Sequence, residues 1–180
     1  MNPDGGAALD RLLGPHDPEI FSSSIPIEMG GAADVLGFRS WVSGIAYVTC
    51  DMAAQAGQAP GLWERYELMM CTREDSLWAA AAVGQLAAMT FDQPFRPGGF
   101  LDIEGDVPEG STVTAVLFDR PDLPEGSFPI GETTCGILLC IGITSDEFEA
   151  CQSEGPEGVL QKLRERHIFP FTDLKRPSVI

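Results

Sequence analysis

Four runs of apolar and β-branched residues along the chain predict β-strands. Ile45–Cys50 and Arg65–Cys71 flank a segment rich in glycine, alanine and proline, so we expect them to form a hairpin with a long loop. Thr112–Phe118 begins with alternating polar and apolar positions, as a half-buried strand does. Thr134–Ile143 is almost wholly apolar apart from two glycines, which predicts a central strand buried on both faces.

Four further segments carry helix signals. Ala7–Leu13 predicts a short helix that ends at Gly14, and Glu74–Thr90 predicts a long one. The long helix is apolar nearly all round, so we expect it to be a buried core helix rather than a site. Thr144–Glu147 has the sequence of a capping box, and Pro156 suits the first turn of a last helix. Together these elements predict an α+β fold, with a mixed, mostly antiparallel sheet flanked by helices.

The length and composition suit one domain spanning residues 1–180. Of its 180 residues 44% are hydrophobic, enough for a substantial core without disulfide or metal. Polar residues or glycine interrupt the apolar stretches before they reach the roughly 18 residues of a membrane span. The N-terminus lacks the basic start and apolar run of a signal peptide, so we expect a cytoplasmic protein.

The charge is strongly acidic and unevenly placed. The chain has 27 acidic and 11 basic residues, and Leu101–Glu157 alone holds 13 acidic residues against Arg120. Such a field repels nucleic acid and anionic lipid, so we expect neither as a partner, and it attracts a basic protein. The competing interpretation is a solvated acidic surface that serves solubility only.

Enzyme motifs are missing from the sequence. It has no G-x-S-x-G elbow, no H-E-x-x-H pair and no phosphate-binding glycine loop, so we predict no metal site and no cofactor. One alternative stays open, a small hydrolase that uses Cys50 or Cys71 with His167. The odd number of cysteines, five, matches no disulfide or zinc framework, and their apolar surroundings predict buried core residues.

Two long segments rich in proline, glycine and acid, Phe91–Gly110 and Asp119–Glu132, are the candidate partner-binding loops. Alternating carboxylates in the first would also suit calcium or glycoside chemistry, but they lack the ligand spacing of an EF-hand loop. The candidate contact residues are Asp102, Glu104, Asp106, Asp119, Arg120, Asp122 and Phe128.

An extended segment near the N-terminus supports another alternative. Phe21–Met29 contains Pro26, which lacks a backbone donor and therefore favours the edge of a sheet. An exposed edge strand can pair with a second copy. A homo-oligomeric structural protein is therefore the second alternative to a binding module.

The order of several loose motifs resembles the suppressor of fused family. They are Tyr47-Val-Thr-Cys, Arg65-Tyr-Glu-Leu-Met-Met, a long helix with Trp78 and Leu86, Phe95-Arg-Pro-Gly-Gly-Phe, Leu138-Leu-Cys-Ile-Gly-Ile-Thr-Ser-Asp-Glu-Phe and Asp173-Leu-Lys-Arg-Pro-Ser-Val. The resemblance covers Ile45 to Val179 and matches only vaguely before residue 40.

This resemblance implies a non-enzymatic protein-binding module with no catalytic residues. The animal member of the family sequesters a transcription factor, and bacterial members are thought to include immunity proteins that neutralise polymorphic toxins. A basic toxin domain would agree with the acidic charge of this chain. Fold transfers between such relatives more securely than function does.

Overall fold

A computed structural model describes residues 3–123 and 126–180, and within these ranges the centre of the fold is an eight-stranded mixed sheet. The strands are β1 (His16–Phe21), β2 (Val35–Phe38), β3 (Ile45–Thr49), β4 (Arg65–Thr72), β5 (Phe100–Asp102), β6 (Val113–Asp119), β7 (Ser127–Ile130) and β8 (Thr133–Thr144). Their order is β1-β2-β3-β4-β8-β6-β5, and β7 pairs with the start of β8. The β4–β8 pair is parallel and the other pairs are antiparallel.

Helices cover both faces of the sheet. They are α1 (Pro3–Leu13), α2 (Leu77–Met89), α3 (Ser145–Glu154) and α4 (Glu157–Glu165), and short 3₁₀ turns lie at Ile27–Met29 and Met52–Ala54. One core forms between α2 and the sheet, while α1, α3 and α4 share a second core on the opposite face. The predicted α+β class with a mostly antiparallel sheet is confirmed.

The apolar run at the centre forms β8, as predicted. Ile137 and Leu139 belong to the core shared with α1, α3 and α4, whereas Leu138 and Cys140 belong to the core under α2. This alternation follows from the two-residue period of a strand, so a strand covered on both faces is apolar at every position. Gly136 is required because a Cβ there would overlap the ring of Trp63.

The start of α2 differs from the prediction. Ser76 is the N-cap, and its hydroxyl accepts a hydrogen bond from the backbone N–H of Ala79 at 3.1 Å. Thr72 is the last residue of β4, and its hydroxyl donates a hydrogen bond to the carbonyl of Glu74. The helix therefore begins at Leu77 rather than at Glu74.

The N-terminal third was the least predictable region. The edge strand β1 occupies His16–Phe21 and contains Pro18, so placing it at Phe21–Met29 was wrong. Pro26 precedes a 3₁₀ turn, where its missing N–H leaves no hydrogen bond unmade. The four-residue strand β2 was not predicted, because Val35-Leu-Gly-Phe is too short to show a period.

Two buried glutamates fasten irregular segments to the sheet. Glu67 on β4 accepts hydrogen bonds from the Thr49 hydroxyl at 2.6 Å and from the backbone N–H of Ala53 at 2.9 Å. Glu147 on α3 pairs with Arg176 through two bonds of 2.6 Å and accepts from the N–H of Val179. The first contact fixes the turn after β3, and the second fixes the C-terminal segment.

Candidate functional site

The outward face of α2 is apolar and exposed, although the sequence predicted a buried core helix. Leu77, Ala81, Gln85 and Met89 are spaced by four residues and form one stripe, here called the α2 ridge. Leu77 is 76% exposed and Met89 38% exposed. No charged residue occurs anywhere in Leu77–Met89, whereas the outer face of a surface helix is normally polar. An exposed apolar face of this kind is typical of a contact surface.

Two grooves flank the α2 ridge. The first, here called the α2–β5 groove, has a volume of about 110 Å³ and lies between α2 and the chain after β5. Its walls include Trp78, Ala82, Leu86, Met89, Leu101 and Ile103. The second groove, of about 320 Å³, lies between α2 and the segments around Phe21 and Ala32. The ridge and the two grooves therefore adjoin one another, and most of the residues that α2 contributes to them are small or apolar.

Three of the predicted contact residues lie beside the α2–β5 groove. Asp102, the last residue of β5, and Glu104 and Asp106 in the turn that follows it are all exposed, and Asp102 and Asp106 line the groove itself. Within the described residues none of these carboxylates forms an ion pair. We call Asp102–Asp106 the acidic loop.

The acidic loop is fixed to the helix by a single tryptophan. The indole N–H of Trp78 donates a hydrogen bond of 2.9 Å to the backbone carbonyl of Asp106. The Asp102 carboxylate accepts from the N–H of Glu104 at 2.8 Å, which closes the first turn of the loop. The negative charges are thereby held at the border of the apolar groove.

The other predicted acidic residues have an intramolecular partner. Asp119 and Asp122 accept contacts from the guanidinium of Arg164 on α4, at 3.1 Å and 3.6 Å. The same guanidinium stacks over the ring of Phe169 at 3.6 Å from its centroid. Arg120 between them is exposed. The predicted cluster at 119–122 therefore has much of its charge already neutralised within the fold.

Phe128 is a correction to the predicted contact set. It lies on β7 and is only 5% exposed, in the core shared with α1, α3 and α4. The surrounding proline, glycine and acid suggested an open loop, but Ser127–Ile130 instead pairs with the start of β8. Phe128 is thus unavailable to a partner in this structure.

The structure does not bring the two predicted acidic groups together. Asp102 pairs with Ala115 of β6, whereas Asp119 is the last residue of the same strand. At about 3.3 Å per residue the two carboxylate positions lie roughly 13 Å apart along β6. The acidic loop and the 119–122 cluster are therefore separate surfaces.

The cysteine hydrolase interpretation does not fit the geometry. Cys50 and Cys71 are both 0% exposed, and burial raises the pKa of each thiol far above its ordinary value, whereas His167 is exposed. A buried neutral thiol is a poor nucleophile. In residues 3–123 and 126–180 no three His, Cys, Asp or Glu side chains are placed to hold a metal ion.

A third concavity carries charges of both signs. It has a volume of about 400 Å³ and lies between the start of α2 and the C-terminal segment. Its lining residues include Arg73, Glu74, Asp75, Asp173 and Lys175. Because opposite charges alternate around it, this concavity offers no consistent attraction to a charged ligand.

The sequence between residues 35 and 177 matches the profile of the family described as Suppressor of fused protein (SUFU). The chain belongs to the SUFU family. The SUFU family is one of regulatory protein-binding domains. The matched span contains α2, the acidic loop and both buried glutamates, while α1 and β1 precede it. No significant match is found among curated proteins.

Solved SUFU structures share the fold at low sequence identity. A homologue from Neisseria gonorrhoeae is 18% identical, with a TM-score of 0.68 and coverage of 99% of this chain and 96% of that one. The structure described as the Sufu-Fu complex is 16% identical, with a TM-score of 0.77 and coverage of 99% and 93%. Drosophila Suppressor of Fused is 14% identical with a TM-score of 0.60, and the match covers 89% of this chain but 42% of that one.

The acidic residues of the acidic loop were predicted from the sequence as contact residues, whereas the exposure of the α2 ridge was not predicted. The sequence shows that Leu77–Met89 has no charged residue and is apolar nearly all round, but a buried helix has the same composition. Only the packing of the other face of α2 against the sheet reveals that the α2 ridge points outward.

In the described ranges no helix is both long and apolar enough to cross a membrane.

Proposed function

We propose that this SUFU domain binds and masks a basic protein partner, as a bacterial immunity protein that neutralises a toxin would do. The surface that performs this binding is the acidic loop together with the α2 ridge. The observation that carries the proposal is the set of exposed carboxylates at Asp102, Glu104 and Asp106, which form no ion pair among the described residues and lie beside exposed apolar residues of α2.

The family supports a binding role, because a related structure is described as a complex of Sufu with Fu. The chemistry supports a basic partner. Complementary charge raises the rate of encounter and penalises wrong partners, while apolar contact area supplies affinity. The acidic loop and the α2 ridge offer both properties side by side.

Affinity purification from the native cells tests the proposal. The wild type, at about 0.1 M salt, is expected to retain a stoichiometric basic protein that is released at about 1 M salt, where the Debye length falls from about 10 Å to about 3 Å. The D102K/E104K/D106K variant is expected to lose that partner. Recovery of an acidic partner, or of a basic one that this variant still binds, contradicts the proposal.

A matched control separates local charge from total charge. The variant E132K/E149K/E154K changes the net charge by the same amount at three exposed positions away from α2. It is expected to retain the partner. If both triple variants lose it equally, the overall charge drives binding and the acidic loop has no special role.

The masking role is tested with the recovered partner. If the partner is toxic when expressed alone, co-expression of the wild type should restore growth and D102K/E104K/D106K should not. A partner that is harmless when expressed alone contradicts the immunity role but leaves protein binding intact.

A further inference from the structure

The α2–β5 groove joins an apolar floor to a charged border. Ala82, Leu86 and Met89 of α2 face Leu101 and Ile103 across it. Leu86 and Ile103 are buried, whereas Met89 is 38% exposed, so the groove opens to solvent at the helix end. Such a groove accepts apolar atoms and excludes water from them.

The charged border is in a fixed position. Asp102 and Asp106 line the same groove, and the Trp78 indole holds the backbone of Asp106 against the helix. A side chain inserted between α2 and Leu101 would therefore have carboxylates on one side only. The residues next to it in its own chain would lie within reach of those carboxylates if they were lysine or arginine.

The volume limits what can enter. At about 110 Å³ the groove is smaller than the roughly 150 Å³ cavity that holds a benzene ring, and well below the roughly 300–1,000 Å³ of a small-molecule site. It therefore suits one apolar side chain, such as leucine or methionine, rather than a cofactor. A single anchor side chain in a pocket is how many protein interfaces concentrate their affinity.

We infer that the partner inserts one apolar anchor side chain, flanked in its sequence by lysine or arginine, into the α2–β5 groove. This inference rests on the proposed function and specifies its partner. The anchor contacts Ala82, Leu86 and Met89, and the flanking cations pair with Asp102 and Asp106.

A second copy of the chain is a poorer occupant of the groove. Each copy carries a formal charge of −16, and the acidic loop would meet another strongly negative molecule. Like charges placed across an interface oppose association. Charge complementarity therefore favours a basic partner segment.

The test uses random peptides displayed on phage and selected against the full-length protein. Enriched peptides are expected to carry an apolar residue flanked by lysine or arginine. Their affinity is then measured by isothermal titration for the wild type, Ala82→Met and Ala7→Met. Ala82→Met fills the groove without changing any charge and is expected to weaken binding at least about tenfold. Ala7→Met adds the same side chain at an exposed position of α1, on the opposite face of the sheet, and is expected to have little effect.

Met89→Ala is the second groove variant and should also weaken binding, because it removes an exposed wall of the groove. Urea unfolding of each variant verifies that it is folded. Enrichment of acidic or uncharged peptides, or of none, overturns the inference. So does light scattering that shows a dimer which Ala82→Met dissociates.

Failure of this inference is distinguishable from failure of the proposed function. Basic peptides that lose affinity with D102K/E104K/D106K but not with Ala82→Met or Met89→Ala would show binding by charge alone. That result overturns the anchor and leaves the basic partner standing. Peptides that are insensitive to all three variants bind elsewhere and contradict both.

Discussion

Glu67 and Glu147 are two fully buried glutamates in opposite electrostatic surroundings. Both are 0% exposed, and each accepts hydrogen bonds from backbone N–H groups of a segment that it fastens. Glu147 faces the guanidinium of Arg176, whereas Glu67 has the Thr49 hydroxyl and no cation among the described residues. Their ordinary pKa is the same, so any difference in protonation comes from these surroundings.

The cation decides which form of the carboxyl is buried. Burial is the main reason that the pKa of Glu67 is raised to about 7. The nearby carboxylate of Asp51 also raises this pKa, whereas the hydrogen bonds that Glu67 accepts lower it. Burial also acts on Glu147, but its bonds to Arg176 and to backbone N–H groups hold its pKa below the ordinary value. A buried carboxylate is thus stable beside Arg176 and costly beside Thr49.

The largest expected effect comes from removing that cation. Arg176→Met leaves the Glu147 carboxylate buried and uncompensated, so the free energy of unfolding should fall by about 3–5 kcal/mol at pH 7. Urea unfolding measures it. In the unfolded chain Glu147 ionises near pH 4.5, its ordinary pKa, whereas its pKa in the folded protein is lower. The stabilisation that the ionised Glu147 provides is therefore lost as the pH falls through the pKa of the folded protein. The difference between Arg176→Met and wild type should therefore shrink in acid.

Lys175→Met is the control for Arg176→Met, because Lys175 is the neighbouring residue and is exposed. Its effect on the free energy of unfolding should stay within about 0.5 kcal/mol. A loss below about 1 kcal/mol for Arg176→Met would contradict the importance of the buried pair.

The second expected effect is a pH dependence caused by Glu67. Because its folded pKa is about 7 and its ordinary value is 4.5, the folded protein keeps a proton that the unfolded chain releases across this window. The contribution of Glu67 to stability is then fully present below pH 4.5 and falls as the pH rises to 7, by up to about 3 kcal/mol at about 1.4 kcal/mol per pKa unit. Urea unfolding at several pH values between 5 and 8 measures the slope.

Substitutions at two positions assign this slope. Glu67→Gln should abolish it above pH 6. Asp51, whose pKa burial raises to about 6, contributes below that pH, and its carboxylate also helps to raise the pKa of Glu67. Asp51→Asn should therefore move the upper end of the slope to lower pH without abolishing it. Stability that is constant or rises between pH 6 and 7 in the wild type would contradict a protonated Glu67.

Neither of these partnerships could be read from the sequence. Glu147 was predicted as the last residue of a capping box, and its carboxylate does accept the N–H of Thr144. Its pairing with Arg176, which is 29 residues away, depends on how the C-terminal segment crosses the sheet. Local signals predict helix ends and buried strands because they act over a few residues. Pairs that are remote in the sequence are set by the tertiary fold.

The same distinction explains the candidate site. The acidic loop was found because charge is a property of composition, and the central strand β8 because its apolar run is continuous. The exposure of α2 and the burial of Phe128 were misjudged, because both depend on which neighbours cover them. The contacts of Arg164 with Asp119 and Phe169 likewise depend on the fold, because Asp119 is remote from Arg164 in the sequence and the position of Phe169 is set by the chain after α4.

The smallest expected effect belongs to the ion pair between Arg164 and Asp119, which has the same chemistry but is partly exposed to solvent. Arg164 is 40% exposed and meets Asp119 at 3.1 Å, whereas Arg176 is 4% exposed where it meets Glu147. Asp119→Asn should lower the free energy of unfolding by less than about 1 kcal/mol, since solvent screens the pair. Urea unfolding at about 0.1 M and about 1 M salt should show the difference vanishing at the higher concentration.

Asp122→Asn is the matched control for this exposed pair, because its carboxylate is farther from Arg164, at 3.6 Å, and more exposed. Its effect should be smaller still. A cost for Asp119→Asn that approaches that of Arg176→Met would contradict burial as the deciding factor. If the small cost is found, the 119–122 cluster contributes little to stability, and its charges are largely satisfied by Arg164. The carboxylates of the acidic loop would then be the ones left for a basic partner.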